Sequence, residues 1–222
     1  MAKTEKITRE KIILAFLESC FEKNAGGTSL SDVAGRLGIK KASLYNHFQS
    51  RDAMYEATVY HCGKCIEEIS FLPEKSLENI KTNKSTASQV FKKFITRYFE
   101  LYDSEPLFQV YTFIRTEQYF NREALNIVQN ELKKINDEVF SIIKVLTECG
   151  KLSNRNEKEL KELASSITVV IIQQRDFYIA TRKETVRQNP DCGAGSLFAL
   201  PTDDKALSGA VKLVGNLIKI IM

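Results

Sequence analysis

The side chains best able to form outward hydrogen bonds lie in one short stretch, RLGIKKASLYNHFQSRD, at residues 36–52. If this stretch contains a short helix, Leu44 and Phe48 share one side of it and can pack into a core. The remaining side has no core to face. Its donors can reach phosphates or base edges, and they are Lys40, Lys41, Ser43, Tyr45, Asn46 and His47. Tyr45 and His47 could instead form a packed aromatic pair at a domain boundary.

A second group with chemical potential is HCGKC at residues 61–65. On a helix, His61, Cys62 and Cys65 share one side, where soft ligands could bind zinc or copper or sense oxidants. Three ligands do not complete a structural zinc site, and cysteine is also a common small core residue. We therefore expect no metal and no cofactor, and a metal- or thiol-redox-responsive regulator remains the alternative.

Catalysis is disfavoured by the residue inventory. The only histidines are His47 and His61, and neither has an obvious acid partner nearby in the sequence. The sequence contains no Gly-rich phosphate loop and no nucleophile elbow. We therefore predict that the protein is not an enzyme.

Composition indicates a globular protein. Of the 222 residues, 43% are hydrophobic and 27% are charged. No apolar run reaches the roughly 18 residues of a membrane span, and the charged N-terminus lacks the apolar core of a signal peptide. Five cysteines spread over a chain of this size do not suggest a disulfide framework. We expect a cytoplasmic protein without a membrane partner.

The basic excess lies at the N-terminal end. Residues 1–51 contain nine lysines and arginines against five acidic residues, whereas residues 52–222 contain 23 of each sign. A basic module on a neutral body suggests a polyanion partner at that end, although an excess of four charges could also arise by chance.

Helical periodicity extends over almost the whole chain, and no segment has the alternation of a strand, so we predict an all-α fold. Ser29 with Asp32, and Thr86 with Gln89, are capping boxes, and Gly38 suits the left-handed end of a helix. Residues 71–85 read as a polar connection and residues 182–201 as a long loop. Helices are predicted at 8–23, 29–37, 40–48, from Ser50, from Thr86, from Pro106, at 121–149, at 157–181 and from 202 or 203 onward. The pair of short helices around Gly38 is a helix-turn-helix.

The residues go further than this pattern. SLSDVAGRLGIKKASLYNHFQSRDAMYEA, residues 29–57, resembles the DNA-binding domain of the tetracycline-repressor (TetR) family of transcriptional regulators. That family's signature is approximately T-x-x-x-I-A-x-x-x-G-V-x-x-x-T-L-Y-x-H-F-x-x-K-x-x-L. Here Ser29 stands for the first Thr, Gly38-Ile39 for Gly-Val and Ser43-Leu44-Tyr45 for Thr-Leu-Tyr. His47-Phe48 matches as written, and Arg51 replaces the Lys.

The resemblance implies a role for each matching residue. Base contacts are expected from Ser31, Lys41, Ala42 and Tyr45, and phosphate contacts from Ser29, Ser43, His47 and Arg51. One departure is Lys40, which stands where the family often has a helix-capping Ser or Thr. The operator sequence cannot be carried over from the resemblance.

The resemblance also implies two domains: a three-helix DNA-binding domain at residues 1–50, and a helical ligand-binding and dimerisation domain at residues 51–222. The expected partners are a palindromic double-stranded operator, a second copy of the chain and an unknown small-molecule effector. Candidate effector contacts are the aromatic or polar groups within apolar helices: Phe94, Tyr98, Tyr111, Arg115, Gln118, Gln174, Arg175 and Tyr178. The run QQRD at 173–176 could instead face the dimer partner or contain a surface Arg175–Asp176 pair.

Two helical segments, 163–180 and 203–221, are expected to form the homodimer interface. Close approach would be permitted by Ser208, Gly209, Ala210 and Gly215, and apolar contact would come from Val211, Val214, Leu217 and Ile218. The alternative is that these residues only complete the core of one subunit.

Overall fold

A computed structural model of the chain describes residues 6–102, 104–188 and 204–220. Every regular element in these ranges is an α-helix, which confirms the predicted all-α class. The helices are α1 (Arg9–Gly27), α2 (Leu30–Arg36), α3 (Lys41–Leu44), α4 (Arg51–Glu68), α5 (Ser76–Thr82), α6 (Ala87–Tyr102), α7 (Leu107–Glu117), α8 (Arg122–Glu148), α9 (Glu157–Gln188) and α10 (Asp204–Ile220). Within the described ranges, none of them is long and apolar enough to cross a membrane.

Two compact units divide the chain. The first comprises Met1–Glu68 and Pro106–Gln129, and the second comprises Ile69–Glu105 and Asn130–Met222. The first unit extends past the predicted boundary at residue 50 because α1 packs against α4 and α7 as well as against α2. The functional division into residues 1–50 and 51–222 stays a prediction.

Capping residues place the helices of the first unit where the sequence predicts them. Ser29 and Asp32 form the predicted reciprocal capping box at the start of α2, and Gly38 after α2 has a φ of +63°. Asn24 has a φ of +65° and interrupts the last turn of α1, at the predicted stop. Leu44 and Phe48 are buried, as expected.

In the second unit, α10 packs against α6 and α9. The core formed there is apolar and includes Phe91, Ile95, Phe99, Ile167, Ile171, Ala210, Val214 and Ile218. Glu138 on α8 fixes the segment that precedes α5, because its carboxylate accepts hydrogen bonds from the Ser70 hydroxyl at 2.6 Å and the Phe71 amide at 2.7 Å.

Three predicted elements differ from the structure. The polar connection contains α5, whose end is held by Lys151, which donates to the carbonyls of Ile80 and Asn83 at 2.7 and 2.8 Å. Helix α9 continues to Gln188 rather than ending at residue 181, because Arg182 is buried against the second unit and the following residues favour helix. Helix α3 is only four residues long. The rest of the predicted loop, residues 189–201, lies outside the described residues.

Gly63 on α4 allows a close approach to α8. A Cβ atom at position 63 would lie 2.8 Å from Cδ1 and 3.2 Å from Cγ1 of Ile127. Gly35 on α2 is different, since a Cβ atom there would meet nothing within 4 Å. The two glycines should therefore respond to substitution in opposite directions.

We expect Gly63→Leu to lower the free energy of unfolding by about 1–3 kcal/mol through overpacking against Ile127. Gly35→Ala should raise it by about 0.5–1 kcal/mol, because alanine restricts the unfolded chain and favours helix. Urea denaturation followed by circular dichroism measures both changes. The double variant Gly63→Leu/Ile127→Ala should regain part of the loss, and a Gly63→Leu variant as stable as the parent would contradict the contact.

Candidate nucleic-acid interface

A polar face covers α2, α3 and the turn after α3. Ser31, Lys40, Lys41, Ala42, Tyr45 and Asn46 are exposed, whereas Ser43 and His47 are half-buried. Tyr45 is 52% exposed, so the alternative of a packed Tyr45–His47 pair is wrong. Lys40 and Lys41 make no hydrogen bond or ion pair with another described residue, which leaves both ammonium groups directed to solvent.

The buried side of the same segment explains this exposure. Leu44 and Phe48 are 1% and 3% exposed, and the guanidinium of Arg9 lies 4.4 Å from the centre of the Phe48 ring. Because these two apolar residues stand four apart, they hold one side of the segment against the unit and turn the side with Lys41 and Tyr45 outward. Lys40 precedes α3 without a side-chain cap, as its departure from the family pattern suggested.

Ser29 is engaged in capping. Its amide and hydroxyl donate to Oδ2 of Asp32 at 2.8 and 2.7 Å, and its hydroxyl oxygen accepts from the Asp32 amide at 3.2 Å. Lys23 Nζ lies 2.6 Å from Asp32 Oδ1. The hydrogen bond from Lys23, followed by those from Ser29, lowers the pKa of Asp32 well below its usual value. Ser29 remains exposed, and its predicted phosphate contact stays a prediction.

Arg51 is turned toward the protein. Its Nε donates to the Thr28 carbonyl at 3.0 Å, and its Nη2 donates to the Ala25 carbonyl. The guanidinium also lies 5.7 Å from the centre of the Phe16 ring, and one third of the side chain is exposed. Arg51 therefore clamps the turn between α1 and α2. A phosphate contact by the same residue stays a prediction.

The predicted effector residues fall in both units. In the first unit, Arg115 donates to Gln118 Oε1 at 3.4 Å and lies 5.9 Å from the centre of the Tyr111 ring. In the second unit, Phe94 and Tyr98 both contact Phe71, Tyr178 contacts Phe99, and Gln174 is half-buried. Effector binding by these residues stays a prediction.

Arg175 belongs to a buried polar cluster in the second unit. Its Nη1 lies 2.7 Å from Glu131 Oε1, its Nη2 lies 3.3 Å from Glu131 Oε2, and Nη1 also donates to the Tyr98 hydroxyl. The hydroxyl of Tyr102 donates to Glu131 at 2.7 Å. Arg175 is 0% exposed, so the interpretation as a surface Arg175–Asp176 pair is wrong, although Asp176 does lie 3.4 Å from its Nη2.

Sequence reasoning missed Tyr102 and Glu131. Two signals were present: Tyr102 follows Tyr98 by one helical turn, and Glu131 occupies a position four residues before Ile135 and eight before Val139, on the apolar side of α8. A charged residue on such a side requires a buried partner.

The HCGKC segment forms part of α4. His61 Nε2 and Cys65 Sγ are 3.6 Å apart, and Cys62 is completely buried. Burial raises the pKa of the Cys62 thiol well above its usual value and also raises that of Cys65, which disfavours the thiolate needed for metal binding or oxidation. Among the described residues, there is no group of three or more side chains that could hold a metal ion.

The N-terminal domain is similar to known regulators. Residues 12–58 match the family model described as bacterial regulatory proteins, tetR family. IcaR of Staphylococcus aureus, the negative transcriptional regulator of the biofilm operon icaADBC, is 44% identical over 61 residues, which are 28% of this chain and 33% of IcaR. IcaR of Staphylococcus epidermidis is 37% identical over 54 residues, 24% of this chain and 29% of the relative. The chain thus matches about a third of the length of these relatives.

Solved structures share the fold of the whole chain. A TetR transcription regulator from Haloarcula marismortui has a TM-score of 0.59 at 11% identity, with 96% of this chain and 97% of that chain covered. FadR of Bacillus subtilis, solved with stearoyl-CoA, has a TM-score of 0.51 at 16% identity, with 97% and 100% covered. Together with the family match, this fold confirms the identification made from residues 29–57.

We expect Arg51→Ala to lower the free energy of unfolding by about 1–3 kcal/mol, because the carbonyls of Ala25 and Thr28 lose charged donors in a partly buried turn. Lys41→Ala should stay within about 0.5 kcal/mol of the parent, since Lys41 is exposed. Denaturant midpoints of the two variants provide the comparison. Equal stability of both variants would show that Arg51 does not hold the turn.

Proposed function

We propose that this chain, which carries a TetR-family DNA-binding domain, is a transcriptional repressor that binds a palindromic operator as a homodimer and is released by a small-molecule effector. The observation that carries the proposal is the exposed polar face of α2 and α3, on a module that matches the family over residues 12–58. DNA binding is the role of such a protein in the cytoplasm, and it requires no catalytic chemistry.

DNA recognition is supported by the division of side chains on this face. Lys41 and Tyr45 are exposed next to each other in space and sequence, and the small side chains of Ser31 and Ala42 leave room for base edges. Lysine donates to guanine in the major groove, and exposed hydroxyls and lysines bind phosphates. We assign base contacts to Ser31, Lys41, Ala42 and Tyr45, and phosphate contacts to Ser29, Lys40, Ser43, Asn46, His47 and Arg51.

Repression is carried over from IcaR, which is a negative regulator. The similarity covers the DNA-binding region and only a third of IcaR, so the regulated genes do not follow from it. A repressor occludes its promoter simply by occupying the operator, and this mode needs no more than tight, specific binding.

A homodimer is supported by an exposed apolar stripe in the second unit. Val169 and Phe177 on α9 are each 62% exposed, and Leu213 and Ile220 on α10 are 45% and 80% exposed. One helix-turn-helix reads only a few base pairs, so two copies are needed for a specific operator. The stripe differs from the predicted apolar contacts, because Val214 and Ile218 point into the core of their own unit, as does Ala210.

Effector control follows the logic of a two-state equilibrium. A ligand that binds the DNA-incompetent state more tightly than the competent state releases the operator in proportion to that difference. FadR binds stearoyl-CoA, but at 16% identity the likeness shows only a shared fold and does not transfer the ligand. The raised thiol pKa values in HCGKC give no support to the metal- or redox-responsive alternative.

We expect selection from a random duplex library to enrich a palindrome, and Tyr45→Ala or Lys41→Ala to weaken binding to it by about 1–3 kcal/mol. Lys40→Ala should weaken binding to all sequences and reduce the slope of log affinity against log salt by about 1. Fluorescence anisotropy at several salt concentrations measures these effects. The matched control is Lys158→Ala, which removes a lysine whose side chain is 86% exposed on α9.

The outcomes separate the assignments. Unchanged affinity of Tyr45→Ala and Lys41→Ala would refute the assigned base contacts. A Lys158→Ala variant that loses as much affinity as Lys40→Ala would show that binding follows net charge alone.

We expect Phe177→Glu to convert the dimer into a monomer, because it places a charge in the centre of the exposed apolar stripe. The matched control is Leu132→Glu, which changes an apolar residue on α8 that is 42% exposed. Sedimentation velocity distinguishes the two states. A Phe177→Glu dimer as stable as the parent dimer would place the interface elsewhere.

A further inference from the structure

Two tyrosines on α6 form one side of the buried polar cluster. Tyr98 and Tyr102 stand one turn apart, with ring centroids 5.2 Å apart and an interplanar angle of 78°. Both are at 0% exposure, and burial raises the pKa of each hydroxyl, so both remain neutral donors. Glu131 on α8 accepts from both hydroxyls, at 3.3 Å from Tyr98 and 2.7 Å from Tyr102. We call these three side chains the Tyr-Tyr-Glu cage.

The group inside the cage is a cation. The guanidinium carbon of Arg175 lies 4.9 Å from the centre of the Tyr102 ring and 5.4 Å from that of Tyr98. Both carboxylate oxygens of Glu131 lie within 3.3 Å of its Nη atoms. Aromatic faces combined with a carboxylate form the chemistry that recognises guanidinium and ammonium ligands.

Stability alone gives no strong reason for such an arrangement. The desolvation of two buried charges offsets most of their attraction, and packed apolar residues of the same volume often serve as well. The cage is therefore better explained by binding than by stability. Its present occupant is a side chain of the same protein, and this occupant has a second carboxylate within reach. Asp176 Oδ1 lies 3.4 Å from Nη2, and the Asp176 side chain is 22% exposed, closer to solvent than Glu131.

We propose that the Tyr-Tyr-Glu cage is a receptor for an organic cation of the guanidinium or ammonium class, and that Arg175 is an internal occupant which this ligand displaces toward Asp176. The proposal deepens the proposed function, because it rests on that function for the consequence that the cation releases the operator. Cation binding by the cage itself does not depend on DNA binding.

An anionic effector fits the cluster less well. An anion would have to displace Glu131 from Arg175 and would then lie beside two aromatic faces, whose quadrupoles are negative. A cation displaces Arg175 instead, and it keeps both aromatic contacts and the carboxylate. Two carboxylates, Glu131 and Asp176, surround the single guanidinium, so the negative charge needed to hold two cations is already present.

We expect Arg175→Ala to empty the cage and to make the protein responsive to methylguanidinium. Thermal unfolding is recorded with 20 mM methylguanidinium chloride, with methylurea as the neutral isostere and with NaCl at equal ionic strength. Methylguanidinium should raise the melting temperature of Arg175→Ala by about 3–6 °C relative to both controls, because it binds only the folded state. The double variant Arg175→Ala/Glu131→Gln should lose this response.

Each outcome decides the point. Equal effects of methylguanidinium and methylurea on Arg175→Ala would overturn the receptor, as would an undiminished response in the double variant. If Arg175→Ala does not fold alone, the same titration is followed by far-UV circular dichroism. Refolding by methylguanidinium and not by methylurea supports the cage, and refolding by neither overturns it.

A second experiment tests displacement in the parent protein. A panel of aryl amidinium and quaternary ammonium compounds is titrated into the parent protein bound to its selected operator. Release by at least one cation, lost in Glu131→Gln, supports displacement of Arg175, whereas release only by anions overturns it. If the parent protein binds no operator at all, the proposed function fails, while the melting experiment still judges the cage.

Discussion

The exposed recognition face depends on how Arg51 holds the turn between α1 and α2. The chain leaves α1 through a left-handed Asn24, so the carbonyls of Ala25 and Thr28 cannot all be satisfied within a helix, and both residues are almost fully buried. A buried carbonyl without a donor costs about 1–3 kcal/mol. Arg51, at the start of α4, supplies donors to both. One side chain thus ties the beginning of α4 to the turn that sets the position of α2 and, through Leu44 and Phe48, the outward side of α3.

Local chemistry made this part of the fold predictable. The capping boxes at Ser29–Asp32 and Thr86–Gln89 form as the sequence indicates, and Gly38 adopts the expected positive φ. Such signals act within a few residues of the chain, so sequence is enough to read them. Helix α5 escaped prediction because its end is held from α8's far side of the sequence, by Lys151, and no local pattern announces such a contact.

The second unit was harder to predict because α10 is apolar around most of its circumference. ALSGAVKLVGNLIKI offers aliphatic residues to two sides, and periodicity cannot say which side meets the subunit's own core. The structure turns Val214 and Ile218 inward and leaves Leu213 and Ile220 exposed. Arg175 posed the same difficulty. The run QQRD showed that a polar group needs a partner, but Glu131 lies 44 residues earlier on another helix, and only the fold brings the two together.

Effector specificity in this protein must come from such contacts rather than from the fold. The solved structures that share the fold over 96–97% of this chain are only 11–16% identical to it, so nearly every side chain inside the second unit is its own. A fold that tolerates this much change keeps its helices by filling the core with apolar volume, and apolar volume alone does not retain a buried charge. The ion pair between Arg175 and Glu131, with two tyrosines arranged around it, is consequently the feature of this unit that a requirement for packing explains least. Ligand selection is the requirement that explains it best.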